Sequence, residues 1–252
     1  HRGIYTCTPA KPALIIRELF PGQDGDMEFY VTTHGVLRWL HVLAMVYWLG
    51  GEWGVFNTSR YVTNMNLSLD ERRRHMDTAF RIDILARLGI ILLLPLGIHM
   101  GYDLGVQPLG GPWITATWIF FGAWLCLTLA AFFTHQSDLG LRLTRIDEAL
   151  RYFLIPALLV PGVMGLFGAG PLGARWYAFK VTLYALLLVI GLVLRVVMRH
   201  WVTLFRSLDS GASRSAVEAQ LGQEISLARV LAYFYWIGIA TVAFFGVVKP
   251  IA

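Results

Sequence analysis

The sequence predicts an all-α integral membrane protein, a bundle of about six transmembrane helices with both termini outside. Three observations lead there. Of 252 residues, 56% are hydrophobic and only 15% charged, where soluble domains carry about 25% charged residues. Six apolar stretches near the length of a bilayer crossing follow one another from residue 36 to the end. The basic residues gather in every second connection between them.

A helix crosses the hydrocarbon core with about 20 apolar residues. Span one covers 36–56 and span two 82–104. Span three covers 113–134. Span four, 151–168, is short and holds Pro156 and Pro161, which predict a kink. Span five covers 176–198 and span six 226–248. Residues 1–35 form an arm on the outer side, and 36–252 the membrane domain. The first 26 residues lack the basic-then-apolar order of a signal peptide and carry Pro9, Pro12 and Pro21. Met27 is a candidate internal start.

The connections give the orientation. The 57–81 loop carries Arg60, Arg72, Arg73, Arg74 and Arg81. The 135–150 loop carries Arg142 and Arg145, and the 199–225 loop Arg199, Arg206 and Arg214. The links at 105–112 and 169–175 hold no basic residue and one, respectively. Cytoplasmic loops are the basic ones, so three alternating loops agree on one inner face. The net charge of +5 is thus a topology signal, and no nucleic-acid surface is expected. Within the last loop, 207–224 reads as a short surface helix. The loops are too small for enzyme domains. Trp39, Trp113 and Trp176 fall at helix ends, as interfacial aromatics do. The two cysteines, Cys7 and Cys126, form no CxxC or CxxCH motif. Cys126 lies inside an apolar run, which argues against a disulfide.

Ionisable residues inside a span are costly and mark function by default. His41 lies about five residues from the outer end of span one, and His99 about five from that of span two. Antiparallel neighbours bring the two to matching depth in the outer leaflet. Two imidazoles facing each other are what six-coordinate haem b requires. Gly50, Gly51, Gly89 and Gly97 leave room for a flat macrocycle, and Trp48, Phe120 and Phe121 offer packing surfaces. His34, seven residues before His41, shares its helical face and is an alternative ligand or a propionate partner. A lone histidine in a span is also what a hydrogen-bonded packing residue looks like.

Lys180 enters the same leaflet from span five. It suits a propionate or carboxylate partner, a ligand, or a side chain snorkelling to the interface. His135 and His200 end spans three and five at one level and raise a second haem, against which stands ordinary interfacial placement. Glu52 and Arg87 match in depth near the inner face and are expected to form a structural ion pair. Asp83 and Arg195 sit near the inner boundary. Met45, one turn from His41, and Met100, beside His99, raise Cu(I) as a further ligand, although methionine is also a common gap-filler.

The segment Arg38-Trp39-Leu40-His41-Val42-Leu43-Ala44-Met45-Val46-Tyr47-Trp48-Leu49-Gly50-Gly51 resembles the first helix of the CopD/HemJ-like membrane proteins, and is similar to the opening helix of the membrane part of cytochrome-c-linked urate oxidases. Phe179-Lys180-Val181-Thr182-Leu183, running on to Gly191 and Arg195, resembles the lysine-bearing helix of that group. The resemblance covers about 60 residues well. It implies a bacterial inner-membrane bundle holding haem b, with His41 a ligand and Lys180 at the position of a functional lysine. Members are linked to protoporphyrinogen oxidation, copper handling, or electron transfer with cytochrome c. This chain departs from HemJ in length, in six spans rather than about four, and in its arginine-rich first loop. Lacking a c-type haem motif, it would meet any cytochrome c on another chain.

The expected function is a cytochrome b-like subunit with haem b at His41 and His99, exchanging electrons with quinone or a cytochrome partner. An enzyme of the HemJ type, a CopD-type copper transporter and a structural subunit of a larger complex stand beside it.

Overall fold

The computed structural model describes residues 31–135, 137–209 and 213–251. The expectations about Cys7, Met27 and most of the N-terminal arm fall outside them. Among the described residues there are six helices and no strand: α1 (Thr33–Val62), α2 (Leu69–Asp103), α3 (Pro112–Phe133), α4 (Asp138–Leu166), α5 (Arg175–Asp209) and α6 (Arg214–Val248). Five of them, α2 to α6, are long and apolar enough to cross a membrane. Their outer surfaces suit lipid: Phe153 of α4 is 69% exposed and Ile119 of α3 68%, and large apolar side chains so displayed need a non-aqueous or protein neighbour.

Every helix packs on its neighbours in sequence, and α1 meets α6 to close the ring. The tightest seam joins α1 to α2. A Cβ on Gly89 would stand 2.5 Å from the Ala44 carbonyl oxygen, and one on Gly51 2.8 Å from the Ala86 nitrogen. These glycines serve backbone approach between two helices, as small residues do at membrane interfaces, rather than clearing space for a cofactor. The central core draws on all six helices, with Trp48, Ile91, Trp124, Leu154, Leu187 and Ile239 among its buried members.

The helices run well past their apolar stretches on the arginine-rich side, and here the expected loops are corrected. Most of 57–81, 135–150 and 199–225 is helical, leaving short connections. An apolar-run count sees only the part of a helix that lipid covers. The continuations are held by polar signals instead. Ser68 and Glu71 form a reciprocal capping box at the start of α2, and Ser137 caps α4. The stretch 207–224 is no separate surface helix. Its second half is the first turns of α6, where Val217, Leu221 and Ile225 join Val62, Trp201 and Phe205 in a second apolar cluster.

Both prolines of span four lie inside the continuous helix α4. Pro95 does the same in α2. A proline in a helix frees carbonyls one turn back, and next to that break the Tyr184 hydroxyl donates to the Ile90 carbonyl.

Candidate functional site

His41 and Lys180 come from helices distant in sequence, α1 and α5, and line one cavity of about 80 Å³. Gly97 lets α2 close on the imidazole, since a Cβ there would lie 3.4 Å from His41 Cε1. Tyr177 and Tyr184 line the same space, and the Tyr177 hydroxyl donates to the Gly97 carbonyl at 3.3 Å. His41 Nδ1 is shielded from solvent and has no hydrogen-bond partner. Lys180 forms no hydrogen bond or ion pair with a described residue, and its Nζ rests where a side chain on Gly246 of α6 would stand. An unpaired imidazole nitrogen and an unpaired ammonium in one small apolar cavity are costly to keep. Together they offer a donor to a metal or proton and a cation to an anionic group.

His99 is not part of this cavity. Its Nδ1 accepts a 3.3 Å hydrogen bond from Trp118 Nε1 of α3, and the two rings meet edge to face. Positions 97 and 99 are about 200° apart around a helix. Since His41 faces position 97, the two imidazoles lie on nearly opposite sides of α2. The sequence allowed depth to be counted, but not direction around the helix. His34 is taken up at the surface, with Nδ1 3.4 Å from Asp103 Oδ2. Trp48 is fully buried in the core. Met45 and Met100 pack against that same core.

These residues can be tested against haem. The donor set fits a centre with one histidine: His41 Nδ1 is an orphaned buried nitrogen, and Lys180 suits a propionate. It does not fit a bis-histidine centre, because His99 is turned to Trp118. The cavity's 80 Å³ is also well below the roughly 300–1,000 Å³ of sites that enclose a whole ligand. A macrocycle on His41 therefore requires the surrounding helices to stand further apart than they do here. At the other face His135 Nδ1 bonds to the Phe132 carbonyl at 2.7 Å, while His200 pairs with Glu224. No group of three or more His, Cys, Asp or Glu suited to a metal occurs among the described residues.

A second cavity, of about 220 Å³, opens toward the arginine-rich end of the bundle. Glu52, Asp83, Arg87, Glu148, Arg151 and Arg195 all face it. The expected Glu52–Arg87 pair does not form. Arg87 Nε instead bonds to Asp83, one turn away on its own helix, at 2.6 Å. Matched depth on two helices loses to a partner at i−4. Arg195 is likewise more than a boundary residue: its Nη1 reaches Asp147 of α4 at 2.6 Å. Asp147 is only 2% exposed and was missed because it falls within what the apolar count treats as loop. Its spacing of four from Arg151 was the available signal.

The two cavities are separated by aromatic side chains. Tyr184 faces the His41 cavity and Tyr235 the second one. Trp48 stands between them, its ring edge-on to both at centroid distances of 5.7 and 5.6 Å.

Comparison with protein-family models, with curated proteins and with solved structures finds no match to this chain.

Proposed function

We propose that the chain is a haem-associated membrane oxidoreductase subunit of the CopD/HemJ-like kind, working at the His41–Lys180 cavity in the outer leaflet of a bacterial inner membrane. One observation carries the reading. The two segments that resemble the family supply one functional residue each, and both residues line the same cavity. In this reading α1 is a sixth span, since 30 residues reach about 45 Å. Both termini lie outside, with the arginine-rich extensions in the cytoplasm.

His41 would hold the iron and Lys180 a propionate. Haem b, when bound, supplies one-electron chemistry. The chain's own residues do the rest. Gly97 fixes the position of the imidazole by leaving it room. The apolar walls, Leu93, Leu94, Leu158 and Val242, exclude water and raise the strength of any charge interaction inside. Lys180, without a counter-ion of its own, draws an anionic group toward His41. Electrons would pass to or from quinone or a cytochrome on another chain. With one histidine in place of two, the site also suits the HemJ-type alternative, in which a carboxylate-bearing porphyrinogen meets Lys180.

The test is a reduced-minus-oxidised visible spectrum of the detergent-purified protein and three variants. A b-type band is expected in the wild type and in His99→Ala, absent in His41→Ala, and shifted in midpoint potential in Lys180→Met. A folded wild type with no haem band would sink the haem reading. Loss of the band in His99→Ala as well would restore the bis-histidine arrangement in its place.

A further inference from the structure

We propose that the second cavity is a binding site for a small organic carboxylate with an apolar body, held by Arg151. It lies on the far side of Trp48 from His41 and does not depend on the haem reading.

Asp147 of α4 is shared among four donors. Its Oδ1 accepts from Trp124 Nε1 at 2.7 Å and from Thr128 Oγ1 at 3.0 Å. Its Oδ2 accepts from Arg195 Nη1 at 2.6 Å and Arg151 Nε at 3.3 Å. One carboxylate thus serves two arginines and two neutral donors, and little accepting capacity remains. The consequence falls on Arg151, which is 5% exposed. Its Nη2 is buried without any hydrogen-bond partner, although the side chain lines the cavity and its guanidinium carbon stands 5.4 Å from the Trp124 ring centroid. A buried guanidinium N–H left unmade is among the costlier omissions in a protein interior.

The nearby carboxylates do not reach it. Asp83 is taken by Arg87 on α2. Glu148 is paired with Arg199 of α5 at 2.9 Å, and its buried Oε1 makes no hydrogen bond to Arg151. Glu52 of α1 also lines the cavity but makes no hydrogen bond or ion pair with a described residue. A bound carboxylate meets Nη2 at contact, through a charge-assisted bond.

The walls choose the rest of the ligand. Phe80, Ile90, Phe132 and Leu188 give an apolar surface that an inorganic anion would leave unused. The volume, about 220 Å³, takes a body the size of one ring. Access lies on the arginine-rich side, where the Arg199 side chain is 54% exposed.

The experiment is calorimetric titration of the full chain in detergent at pH 7 with benzoate and with its uncharged shape-match benzamide. Benzoate is expected to bind, and benzamide at least tenfold more weakly. Arg151→Gln should weaken benzoate at least tenfold. Equal binding of the two probes, binding of neither to folded wild type, or unchanged benzoate affinity in folded Arg151→Gln would overturn the proposal. Should Arg151→Gln not fold, the two probes on wild type decide alone: benzamide binding as tightly as benzoate overturns it.

Discussion

Trp48 of α1 and Tyr235 of α6 meet at the centre of the bundle, where the indole Nε1 donates a 3.1 Å hydrogen bond to the phenol oxygen. Both side chains are 1% exposed. The contact ties the first helix to the last and closes the wall between the two cavities. Tyr235→Phe keeps the ring and deletes the acceptor, leaving a buried indole N–H unsatisfied. A loss of about 1–2 kcal/mol is expected, read as a lower midpoint of thermal unfolding in detergent. An unchanged midpoint would mean that the hydrogen bond is not needed to hold the wall.

The α1–α2 seam predicts a contrast between two glycines of similar setting in sequence. Gly89→Ala drives a methyl group into the Ala44 carbonyl and to 2.9 Å from the Trp48 nitrogen. Backbone atoms on a packed helix do not yield cheaply, so a cost of about 1–3 kcal/mol or more is expected. Gly50→Ala meets nothing within 4 Å and should stabilise by roughly 0.5–1 kcal/mol through helix propensity. Melting of the two variants side by side checks this. Similar effects in both would mean that the seam is looser than the geometry requires.

At the arginine-rich end of the bundle, Arg72 binds Glu218 through both terminal nitrogens, at 2.5 and 2.9 Å, and the Val62 carbonyl through Nε at 2.6 Å. Three helices are joined by one guanidinium that is 0% exposed. Glu218→Ala leaves that charge buried and unpaired, at about 3–5 kcal/mol. The double variant Arg72→Met with Glu218→Leu should recover most of the loss, because apolar side chains of similar volume can replace a buried pair. A double variant as unstable as the single one would place the effect in packing rather than in the stranded charge.

At the start of α2, Glu71 accepts from the Ser68 backbone N–H at 2.9 Å and the Ser68 hydroxyl at 2.8 Å. The backbone bond first, and the hydroxyl second, hold its carboxyl below the usual glutamate range. A carboxylate lowered in the folded state lends stability above its ordinary pKa and loses it as pH falls through the folded value. Ser68→Ala should cost about 1 kcal/mol at neutral pH, and less in acid, where Glu71 is protonated in either protein. A pH-independent difference would show that the hydroxyl acts on the helix N–H groups alone.

Much of this architecture was legible because lipid imposes a length and a composition on each crossing. What lay outside lipid was less so. Arg72 reads as one of a run of loop arginines, yet among the described residues it is the most buried charged side chain. The cue, Ser68 three residues before Glu71, was present but is a weak signal beside five arginines. Counting along helices placed His41, His99 and Lys180 at one level, and of the three His41 and Lys180 line one cavity. Counting cannot say which way a side chain turns around its helix until the neighbours are known. Two residues along α2 separate the face that meets His41 from the one that meets Trp118. The same limit explains Glu52 and Arg87, which match in depth and do not pair.

Lys180 gives the last prediction. Its ammonium has no hydrogen-bond or ion-pair partner among the described residues and shares a cavity with an imidazole nitrogen that also lacks one. No packing reason requires a charge there, since Leu93, Leu94 and Val242 line the same space. Lys180→Met keeps the length of the side chain and removes the charge, so the cofactor-free protein should become more stable by about 1–3 kcal/mol. Function should move the other way, because sites are commonly kept at the expense of stability. The measurement is the thermal midpoint of the cofactor-free variant beside wild type. A rise marks Lys180 as a group retained for a ligand. A fall would mean that the ammonium reaches the outer interface and anchors α5, and the anion-attracting role given to it would have to be abandoned.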